Sequence, residues 1–180
     1  MLTGESGNTD SALGDLHERL IDIRMTLDHQ LAERFQRHTS FGDLLVDRWS
    51  RAAGYGFGQG SSCYDNVLVL GEVNVGDSTW IGPNVVLDGS GGLSIGSFCS
   101  ISAGVQIYSH NSVDWSTSLG QAAVSRRATT IGDGVYIGPG AIIEMGVTIG
   151  DRAVIGALTL VRSDVPAGSK CFGIPGQIHE

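Results

Sequence analysis

Proton transfer at neutral pH calls for a side chain that titrates there, and histidine, with an ordinary pKa near 6.5, is the usual choice. Of the five histidines, His17, His29 and His38 stand among charged residues and read as solvated surface. His110 is different. It is the only histidine between residues 57 and 178, and it lies in the polar stretch YSHNSVDWSTSLGQAAVSRRAT. There it is either a general base or a surface hydrogen-bonding group. Arg126 and Arg127 close the same stretch, where they either bind a phosphate or stay solvated. Cys63, Cys99 and Cys171 are odd in number and widely spaced, which fits neither a disulfide framework nor a C-x-x-C metal or redox motif. They read as reduced, buried thiols, and no metal site is expected.

The elements that position His110 follow from a repeat. Glycine numbers 27 in 180 residues, about twice the usual share of roughly 7%, with no low-complexity run. Aliphatic residues followed by Gly or Ser recur at Val75, Ile81, Ile95, Ile101, Ile131, Ile137, Ile149 and Ile155, with Leu87, Ile107, Ile143 and Val161 in phase. The period is six. Two residues are inserted between Leu87 and Ile95, and a longer excursion follows Ile107. A second register four positions on holds small or β-branched residues: Val73, Thr79, Val85, Cys99, Val105, Val135, Ala141, Val147, Ala153, Thr159 and Val165.

Neither the 3.6-residue period of a helix nor the 2-residue period of a strand gives that pattern. A short strand followed by a tight turn does. Three such units close a triangular coil of 18 residues, and coils stacked at about 4.8 Å pair their backbones from one coil to the next. Residues 75–92, 93–110, 131–148 and 149–166 then form four coils, a prism roughly 19 Å tall. The excursion over residues 108–129 leaves the prism and returns in phase at Ile131. Repeat proteins concentrate function in such loops.

The run IGDGVYIGPGAIIEMGVTIGDRAVIGALTLVRSDVPAGSKCFGIPG, residues 131–176, resembles the C-terminal signature of the hexapeptide-repeat acyltransferases. The sugar and xenobiotic acetyltransferase branch is the nearest in kind. The resemblance implies a left-handed parallel β-helix, assembly as a homotrimer, and acetyl-CoA as co-substrate. It also implies that His110 is the general base, taking the proton of an acceptor hydroxyl or amine as it attacks the thioester, a contribution of roughly 10² to 10⁴ in rate.

On the donor side, the family's GAGSVVTKDVP corresponds here to Gly156-Ala157-Leu158-Thr159-Leu160-Val161-Arg162-Ser163-Asp164-Val165-Pro166. Arg162 therefore stands one position from the usual lysine. Lys170 is a second cation for the CoA phosphates, and Tyr136, followed by Gly138, stands where the family often has Trp beside the pantetheine. On the acceptor side, the resemblance assigns Asn84 and Asp88 to substrate hydroxyls, although Asp88 before Gly89 is equally a turn residue. Asp114 and Trp115 would frame an acceptor by hydrogen bonding and ring stacking, or else anchor the loop. The implied acceptor is a sugar or nucleotide sugar, of the kind used in surface-polysaccharide synthesis.

Ahead of the repeat, residues 1–11 are small and polar and read as a disordered tail, and 12–56 as a helical segment. Leu13, Leu16, Leu20, Ile23 and Leu27 step by three and four, continued by Leu31 and Phe35, an amphipathic helix packed on a prism or paired between subunits. A second short helix around Asp43–Ala53 and a Gly-rich lead-in would close the open end of the prism, residues 57–178.

A net charge of −8 is the wrong sign for a general nucleic-acid binder. The absence of an 18-residue apolar run and of a basic, apolar leader predicts no membrane span and a cytoplasmic protein. Two other functions fit a hexapeptide prism. A non-catalytic scaffold subunit would not need the loop, and a zinc hydratase resembling the γ-type carbonic anhydrases would need three histidines where the coils offer one.

Overall fold

The computed structural model describes residues 6–179, with side chains from residue 12. The chain divides into two compact units, 1–47 and 48–180.

The first unit is helical. Helix α1, Ser6–Phe35, starts within the stretch expected to be disordered; residues 1–5 of that stretch lie outside the described residues. Its stripe is exposed at Leu13, Leu16, Leu20 and Ile23. The chain after α1 folds back on it through His38, whose Nδ1 lies 2.8 Å from Asp28 Oδ2. Helix α2, Phe41–Leu45, is capped by Ser40, whose Oγ accepts from the Asp43 amide at 3.3 Å.

The second unit is the parallel β-solenoid that the period of six predicts. One face stacks Ser62–Cys63, Trp80–Ile81, Ser100–Ile101, Tyr136–Ile137, Val154–Ile155 and Lys170–Phe172, all in parallel. A second face stacks Val69, Leu87, Ile107, Ile143 and Val161, and a third Val75, Ile95, Ile131, Ile149 and Val165. Backbone hydrogen bonds run from coil to coil, as from Trp80 N to Cys99 O and from Ser100 N to Val135 O, both 2.9 Å.

Both sequence registers point inward. Ile81, Ile101, Ile107, Ile137, Ile143, Ile149 and Ile155 have at most 2% exposure, and Thr79, Val85, Cys99, Val105, Val135, Ala141, Val147, Ala153 and Thr159 fill the space between them. Burying each large aliphatic side chain contributes about 1.5–3 kcal/mol. Glycines on the neighbouring coil, Gly58, Gly96 and Gly132, leave room for a carboxylate ladder of Asp77, Asp133 and Asp151 along one corner. Asp77 Oδ1 accepts from Gln59 N at 2.7 Å, Asp133 Oδ1 from Ser97 N at 2.7 Å, and Asp151 Oδ1 from Asp133 N at 2.9 Å.

The first face carries six coils where the spacing predicted four. In the added coils Ser61, Cys63 and Val67 at one end, and Ser169 and Cys171 at the other, take the inward places. Without isoleucine there, the hexapeptide pattern is hidden. Helix α3, Arg48–Gly54, lies against the first coil through buried Ala52, and Arg51 donates from Nη1 to Cys63 O and pairs with Asp65, both at 3.3 Å. At the other end Gln177–His179 returns antiparallel to Lys170–Phe172. Both ends of the stack are thus closed, as expected from its exposed edges. Among the described residues no helix is long and apolar enough to cross a membrane.

Candidate functional site

The excursion leaves the prism after Ile107, at the corner between the second and third faces. It pairs His110–Asn111 with Ser125–Arg126, forms helix α4, Val113–Thr117, and rejoins at Thr129–Ile131. Thr129 fastens the two ends together: its Oγ1 donates to Tyr108 O at 2.7 Å and accepts from Gly146 N at 3.0 Å.

The two-residue insertion lies on the neighbouring coil at the same corner. It lengthens the strand Val86–Ile95, which shifts register against Leu68–Val75 between Gly71 and Val73, and so turns Asp88 inward. Asp88 has no exposed surface. Its Oδ1 accepts from Ser90 N at 3.0 Å, and its Oδ2 from Ser109 N at 2.9 Å, from His110 N at 3.1 Å and from His110 Nδ1 at 2.5 Å. Burial alone would raise the carboxyl pKa, but the hydrogen bonds from Ser90, Ser109 and His110 outweigh it and bring the pKa down to about 2.

An ionised Asp88 fixes the tautomer of His110. Nδ1 carries the proton toward the carboxylate, leaving Nε2 with its lone pair on a ring one-third exposed. The sequence offered Asp88 either to an acceptor hydroxyl or to a turn; in the structure the carboxylate is covered and is taken up by donors from Ser90, Ser109 and His110.

Glycine permits the close approach. A Cβ on Gly91 would overlap Ser109 O and lie 3.0 Å from Arg127 N, at the point where Gly91 N donates to Ser109 Oγ at 2.8 Å.

Around the free edge of His110 is a pocket of about 160 Å³ lined by Tyr108, His110, Asn111, Arg127, Glu144 and Met145. Tyr108 meets the imidazole edge-on, with centroids 6.4 Å apart, and is itself held by Gln106 Oε1 at 2.7 Å. Arg127 and Glu144 also line an adjoining groove of about 770 Å³, which continues through Arg162, Ser163 and residues 175–178. Arg162 Nε pairs with Glu144 Oε1 at 3.1 Å. Tyr108, Glu144 and Met145 were not foreseen, since nothing in their types marks them until coil stacking places them beside His110.

The remaining sequence candidates are spread over the prism. Tyr136 and Lys170 are exposed on the first face, in register through Val154. Gly138, Gly156 and Ala157 form the corner between the first and second faces, where a Cβ on Gly138 would meet Ala157 N at 2.6 Å. Asn84 is at that corner too, one coil above Asn66, whose Nδ2 donates to Asn84 Oδ1 at 2.5 Å. The structure therefore does not bring Asn84 to His110. Asp114 and Trp115 are exposed on α4; the Trp115 carbonyl accepts from Gly120 N at 2.7 Å and the Asp114 carbonyl from Ser118 N at 3.1 Å. Neither lines the pocket. Among the described residues, no three His, Cys, Asp or Glu side chains gather as a metal site would require.

The family model of the bacterial transferase hexapeptide (six repeats) matches residues 128–163. No curated protein matches the chain. Among solved structures, it is similar to a hexapeptide-repeat-containing acetyltransferase of Vibrio cholerae O1 biovar eltor, VCA0836, complexed with acetyl-CoA, at 25% identity and TM-score 0.64 over 100% of this chain and 92% of that one. Two others share the fold. One is the N-acyltransferase AntD of Bacillus cereus, in complex with dTDP and 3-hydroxybutyryl-CoA, at 20% identity and TM-score 0.61 over 69% of this chain and 70% of that one. The other is the acetyltransferase domain of PglB of Neisseria gonorrhoeae with acetyl-CoA, at 22% identity and TM-score 0.54 over 67% of this chain and 49% of that one. Residues 128–163 thus carry the hexapeptide repeat of bacterial transferases, and the solenoid is similar to the fold of these enzymes.

Proposed function

We propose that this protein transfers an acetyl group from acetyl-CoA to a hydroxyl or amine of a sugar or nucleotide sugar, with His110 as general base. The observation that carries the reading is the Asp88–His110 hydrogen bond at the mouth of a loop inserted into a hexapeptide prism. A hydroxyl is a poor nucleophile at neutral pH. As its oxygen bonds to the thioester carbonyl carbon, its proton passes to His110 Nε2. Collapse of the tetrahedral intermediate breaks the C–S bond, and the departing CoA sulfur takes that proton back from Nε2. The products are the acetylated acceptor and CoA, with His110 returned to its starting tautomer. Asp88 touches neither substrate; it positions the ring and stabilises the transient imidazolium.

The groove beside the pocket, at about 770 Å³, is of a size for an extended ligand, and Arg162 in it offers a fork of donors to phosphate. Lys170 and Tyr136 lie on a different face from Arg162, and a donor meeting all three would span a prism edge. A trimer with the donor between neighbouring prisms would fit that spread. The acetyl-CoA and dTDP named for similar enzymes support the donor and the nucleotide-sugar acceptor. A cytoplasmic role in surface-polysaccharide synthesis is the setting we assign to such a reaction.

Calorimetric titration with acetyl-CoA, beside CoA lacking its 3′-phosphate, tests the donor half. Binding near one per subunit is expected, weakened without that phosphate. An absence of binding would leave the scaffold reading in its place.

A further inference from the structure

Arg127 stands apart from the other cations of the site. Arg162 is paired with Glu144. Arg127 lines both the His110 pocket and the adjoining groove, yet among the described residues its guanidinium carries no ion pair or hydrogen bond. Its backbone is fixed, because Arg127 N donates to Ser109 O at 2.9 Å, one residue from His110. Its side chain is aimed as well. It runs across Gly146, where an added Cβ would lie 3.1 Å from Arg127 Cβ and 3.2 Å from Nε, so the glycine gives the arginine its path. An uncompensated guanidinium held beside the base, on a chain of net charge −8, is a local feature and not part of a general basic surface.

Between the thioester and the pyrophosphate of CoA runs the uncharged pantetheine arm, so an anion that Arg127 meets at the His110 pocket, as distinct from the groove it also lines, comes from the acceptor. We infer that Arg127 selects an acceptor carrying a phosphate or carboxylate close to the acetylated group, through a forked, charge-assisted contact. This rests on the acyl-transfer reading and narrows its acceptor to the anionic sugars, such as sugar phosphates, nucleotide sugars or uronic acids.

Calorimetry tests it with glucose 1-phosphate, UDP-glucose and glucuronate as probes and glucose as the neutral control, each titrated with and without saturating CoA. At least one anionic probe should bind 10-fold or more tightly than glucose. Arg127→Ala should lose that advantage, Arg127→Lys should keep part of it, and both variants should bind CoA as the wild type does. Preference for the phosphates or for glucuronate identifies the anion. Equal binding of glucose and every anionic probe would overturn the inference, as would an Arg127→Ala protein that keeps the preference. Loss of CoA affinity in that variant would overturn it too, placing Arg127 on the donor. An Arg127 that only stabilised the reaction's oxyanion would leave probe binding unchanged. Wild-type protein that binds an anionic probe but not CoA would sink the acyl-transfer reading while leaving the anion site standing.

Discussion

Asp88 and His110 are 22 residues apart and belong to adjacent coils, yet they share a 2.5 Å hydrogen bond between Oδ2 and Nδ1. The carboxylate that makes it is sealed from solvent and also holds the backbone amides of Ser109 and His110, so it orients the loop as well as the ring.

Asp88→Asn removes the charge and lets the side chain offer Nδ1 a donor in place of an acceptor, favouring the wrong tautomer. Turnover is expected to fall about 10²-fold or more with acetyl-CoA affinity unchanged. Because Asp88 acts through His110, Asp88→Asn should add little to the loss already caused by His110→Ala, a non-additivity that a double-mutant cycle reads. A Tm loss with turnover unchanged would make its role structural only.

The same carboxylate sets an acid limit on stability. Its pKa is about 2 when folded against an ordinary 3.8, so folding favours the charged form. That contribution, about 2 kcal/mol, is fully present above pH 4 and is lost as the pH falls toward 2. Urea midpoints measured from pH 5 to pH 2 should fall more steeply for wild type than for Asp88→Asn.

Gly91→Ala tests the close approach of prism and loop. Its methyl would overlap Ser109 O, and a destabilisation of about 2 kcal/mol or more is expected, with loss of activity at temperatures where the protein is still folded. Thermal melts beside activity assays separate the two effects.

Ile143→Ala opens a cavity in the stack next to the Glu144 corner. Ile143 has no exposed surface, so about 2–5 kcal/mol should be lost in denaturant titration. Arg162→Ala should leave stability within about 1 kcal/mol, since the pair with Glu144 is largely exposed, while weakening acetyl-CoA binding.

The prism was legible because its physics is local. Two inward positions in every six leave a period that no other element produces, and Ile81 to Val161 obey it. The coil at Ser61–Val67 escaped because serine and cysteine at inward places carry no hydrophobic signal. His110 was visible as the one imidazole in the excursion. The part of Asp88 was not, since an aspartate before glycine in a turn looks the same whether it faces solvent or a neighbouring coil. Only the stacking of the Leu87 and Ile107 strands puts it under the loop. Asn84 shows the converse: four residues from Asp88 in sequence, it lies at another corner because the chain has crossed a whole face between them.

That His110, held by Asp88, is the base of an acetyl transfer is tested by release of the CoA thiol from acetyl-CoA over a panel of sugars, amino sugars and nucleotide sugars, comparing wild type with His110→Ala. Acceptor-dependent release is expected from the wild type, reduced about 10² to 10⁴-fold in the variant while calorimetry shows equal acetyl-CoA affinity. Undiminished release by His110→Ala, at equal acetyl-CoA affinity, would contradict it.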